Sequence, residues 1–437
     1  MAKKKQPLIY LVNCSIRAGS KREDIVDNVK KISNEPSLYR YIEKVARSGI
    51  ACNSEIALIA SAFGALEWTK NVEYIRLNEY FLPNGRTKDI PALLEKLKKG
   101  DGFIFSTPVY FGDRSSLLHE LIETLKKERF NFFGKVSGFI SVGAKRNGGQ
   151  ETTNIYALHN FSELGSLVVG NGPPTSQFGG TCVGGNKGTM ENDYFGIMTS
   201  TGVGRKVAQT SLIVKEGISL YKKKKPNIIV DFWILEDKDK QLENYIKNII
   251  KEIASKTSYR NVNFKILNLI KYNFSRCFAC NVCPNTNNKK LDYKCINKKD
   301  DMRKIHRRIL RNDVIIVSGL SLSSITGIKS VYQRFIERTR YLRRDNFRLT
   351  NRLVAAFSLN EIGGNTLFNV RVLTSFIRHN TIFHKGFENY ILNGSLVNSP
   401  RAKMLKFFDS LIKLGEILKL GKEKVDIGEQ KYISVGY

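Results

Sequence analysis

The segment KGDGFIFSTPVYFG, Lys99 to Gly112, decides the fold class that we predict for this chain. Its apolar run from Gly102 to Phe105 is typical of a buried strand, and the residues after Gly112 have the pattern of a helix. Two aromatic residues, Tyr110 and Phe111, follow the strand, although a loop that only turns the chain needs neither. Such a loop suits a flat ligand that lies against backbone and aromatic rings.

Three segments of the first half have counterparts in the second half, in the same order along the chain. Both halves begin with a strand pattern, continue to an Asp followed by an apolar strand, and then reach a strand with a Gly-Gly loop and a helix. The paired segments are 7–15 with 226–234, 99–112 with 311–324, and 137–158 with 353–373, with glycine pairs Gly148-Gly149 and Gly363-Gly364. We conclude that two related units are joined near the KKKKP sequence of residues 222–226.

Continuous apolar strands that alternate with helical patterns predict a parallel sheet covered on both faces. We therefore predict an α/β fold with two doubly wound parallel-sheet domains in tandem, residues 1–220 and 221–437. The first domain contains an insertion at about 21–48. In such sheets ligands bind beyond the carboxyl ends of the strands, so functional residues are expected in the loops that follow them.

The composition narrows the class of protein. Hydrophobic residues make up 42% of the 437 residues, which excludes wholesale disorder. No apolar stretch is long enough to span a bilayer and no signal peptide is recognisable, so we predict a soluble cytoplasmic protein. The net charge of +31, from 71 Lys and Arg against 40 Asp and Glu, favours an acidic partner or nucleic acid. Ordinary solvated surface also explains such an excess.

Three loops of the first half carry candidate ligand-binding residues. The first, NCSIRAGS at 13–20, can hold a phosphate with backbone amides, a hydroxyl and Arg17, together with a helix predicted at 49–66 whose N-cap is Asn53 or Ser54. The second is the loop after the quoted strand. The third, GAKRNGGQETT at 143–153, has two glycines that allow close approach of a ring, and an amide and a hydroxyl that can bind its edge. Any one of them could be a plain turn, but three in succession favour a ligand site.

These loops resemble those of the flavodoxin-like NADPH-dependent FMN reductase family, including its iron–sulfur flavoprotein branch. The resemblance covers about 200 residues of the first half, and its most specific part is Thr107-Pro108-Val109-Tyr110-Phe111-Gly112. It implies that this second loop holds the ribityl chain and isoalloxazine ring of FMN. By the same resemblance, the phosphate is held by Ser15, Arg17, Asn53 and Ser54, and the polar ring edge faces Gly148, Gly149 and Gln150. Cys14 and Ile16 depart from the family's Gly and Pro.

Four of the seven cysteines cluster in the second half, as Cys277, Cys280 and Cys283 in a C-x2-C-x2-C pattern and Cys295 after eleven more residues. Thiolates at this spacing can converge on one soft metal centre. The iron–sulfur flavoproteins that the sequence resembles have such cysteines before an Asp-Asp-Met stretch, matched here by residues 300–302, which implies a 4Fe–4S cluster. A zinc site with four thiolates and a loop without metal are the alternatives.

The second half lacks the phosphate loop and the two aromatics, so we do not expect it to bind FMN in the ordinary way. The resemblance implies an FMN-dependent oxidoreductase with NAD(P)H as co-substrate and an electron acceptor that the sequence does not identify. One alternative is a flavin and iron–sulfur electron-transfer protein that serves an acidic protein partner. Another is a non-catalytic basic protein that binds nucleic acid on a degenerate flavodoxin fold. Members of the family commonly dimerise, so a homo-oligomer or an intramolecular pseudo-dimer is expected.

Overall fold

The computed structural model describes residues 6–186, 188–255, 259–280, 282–283, 292–321, 330–361, 367–392, 395–397 and 401–433. The chain divides into two compact units, the first ending at Lys215 and the second beginning at Glu216. Among the described residues, no helix combines the length and the apolar character needed to cross a membrane.

The first unit is a parallel sheet with the strand order β2-β1-β3-β4-β5. The strand β6 also pairs with β4, on the part of β4 that follows the residues paired with β5. Helices connect the strands, so each parallel pair is joined by a crossover. The strands are β1 Ile9–Asn13, β2 Val72–Arg76, β3 Gly102–Pro108, β4 Val136–Gly143, β5 Leu167–Val168 and β6 Gly180–Val183. The helices are α1 Glu35–Ser48, α2 Asn53–Leu66, α3 Ile90–Lys99, α4 Ser116–Lys127, α5 Gln150–Glu163 and α6 Tyr194–Tyr221.

The core of this unit follows from the apolar runs. Every residue of β1 and β4 is buried, and so is β3 up to its last residue, because both faces of the sheet are covered. Helix α4 buries a stripe of leucines at helical spacing, Leu117, Leu118, Leu121 and Leu125. The strand order 2-1-3-4-5 is that of the flavodoxin fold, which confirms the predicted fold class.

The second unit has the same order within itself, β8-β7-β9-β10-β11, with β12 beside β10 and β13 antiparallel to β12. Its strands are β7 Ile228–Glu236, β8 Val262–Asn268, β9 Val314–Ser321, β10 Leu353–Glu361, β11 Ile382–Phe383, β12 Phe387–Leu392 and β13 Ser395–Leu396. Its helices are α7 Gln241–Ala254, α8 Met302–Ile309, α9 Ser330–Arg338, α10 Arg340–Arg344, α11 Phe368–Ile377 and α12 Arg401–Lys422.

Both units divide their fifth strand into two pieces in the same register. In the first unit, β5 pairs with β4 from Val136 and β6 pairs with it from Ile140, four residues further on. In the second, β11 pairs with β10 from Leu353 and β12 from Phe357, again four residues further on. The two sheets therefore share an irregularity as well as a strand order.

Two expectations change in detail. The helix predicted at 49–66 begins at Asn53, and its N-cap is Cys52 rather than Asn53 or Ser54, because Cys52 has extended backbone and forms a capping box with Glu55. The insertion at 21–48 is largely helical and ends in α1, whose first turn is capped by Asn34. In the second unit, residues 322–324 of the matching segment and the pair Gly363-Gly364 lie outside the described residues.

Candidate functional site

The structure brings the three predicted loops together at the carboxyl ends of β1, β3 and β4. The Ser115 hydroxyl donates a hydrogen bond of 2.6 Å to the Cys14 carbonyl oxygen, and the Ser115 N–H donates one of 3.0 Å to Thr107 Oγ1. These bonds join the first loop to the second. A Cβ placed on Gly149 would lie only 2.7 Å from the Cα of Gly112, so the second and third loops are in direct contact.

The second loop presents its aromatic residues to solvent. Tyr110 and Asp113 exchange backbone hydrogen bonds of 2.7 and 2.9 Å, which close a tight turn. Within this turn Phe111 has a φ of 52° and Gly112 a φ of 78°. The left-handed conformation is uncommon for an aromatic residue and costs about 1 kcal/mol or more. Phe111 is fully exposed and Tyr110 is 53% exposed, so the turn offers two apolar rings to a ligand.

The first loop is organised by polar side chains. The Asn13 side chain accepts a hydrogen bond of 2.8 Å from the Ser15 N–H, and the Ser15 hydroxyl accepts one of 3.2 Å from the Arg17 N–H. Ser15 and Ser54 are buried, whereas Arg17 is exposed. Of these predicted phosphate-binding residues, Arg17 alone projects its side chain into solvent.

Glu55 holds this loop in place, and the sequence reasoning missed it. Its carboxylate is fully buried and accepts hydrogen bonds from the N–H groups of Gly19, Ser20 and Cys52, at 3.0, 2.9 and 2.8 Å. The Tyr74 hydroxyl donates a further bond of 2.8 Å to it. Burial and this carboxylate raise the pKa of Tyr74 well above its usual value. An acidic residue three positions after a helix N-cap is the capping-box signal that could have revealed it.

Asn53 connects the start of α2 to the glycine-rich stretch of residues 170–196. Its Nδ2 donates to the carbonyl oxygens of Gly184 and Asn186 at 3.0 and 2.7 Å, and its Oδ1 accepts a bond of 3.0 Å from the Gly188 N–H. Residues 170–196 contain β6 and the first residues of α6. The Asn53 side chain is thus engaged with that stretch.

The third loop is shaped from within by Gln150. This side chain is buried, and its Nε2 donates to the carbonyl oxygens of Lys145 and Cys182 at 2.7 and 3.2 Å. A neighbouring cavity of about 300 Å³ is lined by Arg146, Gly149, Gln150, Glu151 and Phe195, among others. There, the Arg146 guanidinium lies 5.5 Å from the Phe195 ring centroid. It also donates a hydrogen bond of 2.5 Å to Asp193, a contact that no sequence pattern indicated.

In the second unit, the four predicted cysteines line one cavity together with Arg338, Arg340 and Arg344. Cys295 is buried, Cys277 and Cys283 are half-buried, and Cys280 is exposed. Burial raises the pKa of the Cys283 thiol, and the neighbouring thiols of Cys295, Cys277 and Cys280 raise it further, while Arg344 lowers it. Across the described ranges, no three His, Cys, Asp or Glu side chains lie close enough to hold a single metal ion.

Comparison with known proteins identifies the class. A family model described as NADPH-dependent FMN reductase matches residues 9–179. An iron–sulfur flavoprotein of Methanocaldococcus jannaschii is 43% identical over 131 residues, which are 29% of this chain and 67% of the relative. An iron–sulfur flavoprotein of Methanosarcina thermophila is 31% identical over 29% of this chain and 65% of its own length. An NAD(P)H dehydrogenase (quinone) of Caulobacter vibrioides is 28% identical over 29% of this chain and 70% of its own length.

The fold, the loops and these relatives define an FMN-dependent NAD(P)H oxidoreductase with a flavodoxin-like fold. The chain belongs to the NADPH-dependent FMN reductase family. It spans about two thirds of the length of those iron–sulfur relatives. The predicted family, FMN as cofactor and NAD(P)H as co-substrate are confirmed.

Proposed function

We propose that the first unit takes a hydride from NAD(P)H onto bound FMN, and that the electrons leave through a 4Fe–4S cluster held by the second unit. The observation that carries this proposal is the single cavity lined by Cys277, Cys280, Cys283 and Cys295. FMN, when bound, supplies a two-electron acceptor that can release electrons singly, and the cluster accepts one electron at a time. The chain's own residues bind, orient and tune both groups.

The first unit fits FMN on three observations. Tyr110 and Phe111 present exposed rings that suit contact with the isoalloxazine. Gly112 and Gly149 meet so closely that a side chain at Gly149 would collide with the second loop, so the backbone itself forms the floor of the site. Arg17 is exposed and lies two residues before Gly19, whose N–H donates to Glu55 in the first turn of α2, so the loop can offer a positive charge to a phosphate. In this arrangement Thr107, Val109 and Gln150 support the loops, and Pro108 is the last residue of β3.

The four cysteines supply a donor set that fits an iron–sulfur cluster. Their side chains line one cavity, and four thiolates are the usual ligands of a 4Fe–4S centre. Four thiolates can also hold one zinc ion, so the test assays iron, sulfide and zinc on the same sample.

A second candidate function is electron transfer to an acidic protein partner. It is favoured by two arginines of the cysteine cavity, Arg340 and Arg344, and by the net charge of +31. Opposite charges steer a protein to its partner and accelerate the encounter. In this second candidate function, the acidic electron acceptor docks next to the cysteine cavity of the second unit.

The test begins with protein purified without oxygen, on which FMN, iron, acid-labile sulfide and zinc are assayed. The proposal expects flavin absorption bands, a broad shoulder from the cluster and about four irons per chain. Cys295→Ser should lose most of the iron and keep the flavin. The matched control, Cys52→Ser, places a favoured N-cap residue at the start of α2 and should keep the iron.

NADPH added to the parent protein should bleach the flavin within the mixing time and then reduce the cluster. Flavin without iron in the parent would refute the relay and leave a simple flavin reductase. Flavin that is reduced only by a protein donor would favour the second candidate. A colourless protein that takes up no added FMN would refute both.

A further inference from the structure

Arg338 is the last residue of α9, and its guanidinium is buried beside one of the four cysteines. Arg338 is 2% exposed and Cys295 is 7% exposed. Arg338 Nη1 donates a hydrogen bond of 3.0 Å to Cys295 Sγ. A neutral thiol is a weak acceptor, whereas a thiolate bound to metal carries the negative charge that a guanidinium prefers. The contact is therefore built for the charged, ligated form of Cys295.

The guanidinium is fixed in this direction by other partners. Its Nε donates to Asp300 Oδ2 at 2.8 Å, and its Nη2 donates to the Tyr293 hydroxyl at 2.7 Å and to the Asn297 carbonyl at 3.2 Å. Asp300 is in turn held by the Ser275 hydroxyl at 2.8 Å. A guanidinium is not deprotonated in proteins, so Arg338 keeps its positive charge in this position.

A purely structural ion pair would need only Arg338 and Asp300. That pair is buried on both sides and neutral as a unit, and it leaves Nη1 free to face any acceptor. In the structure, this nitrogen donates to the sulfur of Cys295, a residue that also lines the cavity shared by the four cysteines. Since hydrogen bonds to sulfur and local charge set the potential of iron–sulfur centres, the position of this donor has a redox consequence.

We propose that Arg338 is the residue that tunes the reduction potential of the cluster, by donating an N–H···S hydrogen bond to Cys295 from a buried positive charge. This inference rests on the proposed cluster. When one electron arrives, one negative charge is added and no bond is broken. Arg338 stabilises that added charge without giving up a proton, because its guanidinium stays protonated. The reduced state is therefore favoured, and electrons move more readily from flavin to cluster.

The experiment compares the parent protein with R338Q, R338K and R340Q, each purified without oxygen. Cluster content is measured as iron and sulfide, and the potential is measured by redox titration with electron paramagnetic resonance of the reduced cluster. R338Q removes the charge and weakens the donor. R338K keeps the charge, but a lysine cannot reach Asp300 and Cys295 at once. It replaces R338Q as the test variant if R338Q folds poorly. R340Q removes one positive charge from the same cavity and is the matched control.

We expect the cluster of R338Q to have a lower reduction potential than that of the parent protein. The change in potential should be smaller in R340Q and intermediate in R338K. Iron content should be unchanged in the variants. An R338Q or R338K protein with a full cluster and the potential of the parent would overturn the role of Arg338 and leave the relay standing. A parent protein without iron would instead overturn the relay, and this inference with it.

Discussion

Lys419 Nζ donates a hydrogen bond of 3.0 Å to Asp313 Oδ2 in the second unit, and the Ile229 N–H donates to the same oxygen at 3.0 Å. Asp313 directly precedes β9, the third strand of the unit, and Lys419 lies on its last helix. One carboxylate thus links the first strand, the third strand and the closing helix of the unit.

The first unit has the same arrangement around Asp101, which directly precedes β3. Its Oδ2 accepts a hydrogen bond of 2.6 Å from Lys215 on α6 and one of 2.8 Å from the Leu8 N–H. Two units can acquire the same strand order independently. It is less expected that they would independently acquire the same strand order, the same division of the fifth strand and the same Asp–Lys link. We infer that the two units arose by duplication of one flavodoxin-like unit.

The Asp313 link predicts a stability effect. Asp313→Ala should lower the free energy of unfolding by about 1–3 kcal/mol, because it leaves the Ile229 N–H and the Lys419 ammonium without their acceptor. Urea unfolding measures the change. Glu429→Gln is the control, since the exposed pair between Glu429 and Lys431 at 3.8 Å should contribute less than about 1 kcal/mol. Equal losses in the two variants would contradict a structural role for the link.

The exposed ring of Phe111 predicts an effect on flavin affinity without one on stability. Phe111→Ala should raise the Kd of FMN about five-fold, equivalent to about 1 kcal/mol of ring contact. Its unfolding free energy should stay within about 0.5 kcal/mol of the parent, because the side chain is fully exposed. Quenching of flavin fluorescence on binding measures the Kd. Tyr156→Ala, an exposed aromatic on α5, is the control and should bind FMN normally.

The sequence predicted the sheets well because their signals are local and repeated. Unbroken apolar runs such as β4 belong to strands buried on both faces, and the segment from Lys99 to Gly112 marked the strand and the aromatic turn. The four cysteines were also found by spacing alone, and they line one cavity.

The rest of the site depends on contacts between residues far apart in the chain. Ser115 meets Cys14 across 101 positions, and Asn53 meets Gly188 across 135. The periodicity of the sequence does not indicate contacts over such separations. The sequence therefore predicted that Asn53 lies near the site, but it did not predict the hydrogen bonds of its side chain. Arg338 lies 43 residues from Cys295, and nothing in its neighbourhood distinguishes it from the other arginines of a basic segment.

The exposed charge of Arg17 predicts a phosphate-specific effect. Arg17→Gln should weaken FMN binding roughly thirty-fold, since a charge-assisted hydrogen bond contributes about 2 kcal/mol. Riboflavin has no phosphate, so its Kd should be the same in the variant and the parent. Arg40→Gln removes an exposed charge from α1 and is the matched control. A variant that loses affinity for riboflavin as strongly as for FMN would show that Arg17 acts on the loop and not on the phosphate.

Buried His379 predicts how stability depends on pH. Burial, and then the nearby charges of Arg343 and Arg378, lower the pKa of His379 from 6.5 to about 3. Between these two values the unfolded chain binds a proton that the folded protein does not, so this contribution to stability is complete above pH 6.5 and is lost as the pH falls towards 3.

The parent protein should therefore lose about 2 kcal/mol more unfolding free energy between pH 7 and pH 5 than His379→Gln does. The glutamine cannot titrate but can still donate to the Thr339 hydroxyl, which lies 3.0 Å from His379 Nε2. Urea unfolding at the two pH values measures the difference. His119→Gln replaces a histidine whose side chain is 41% exposed, and it should lose as much stability as the parent. Parallel losses in His379→Gln and the parent would show that other groups cause the acid sensitivity.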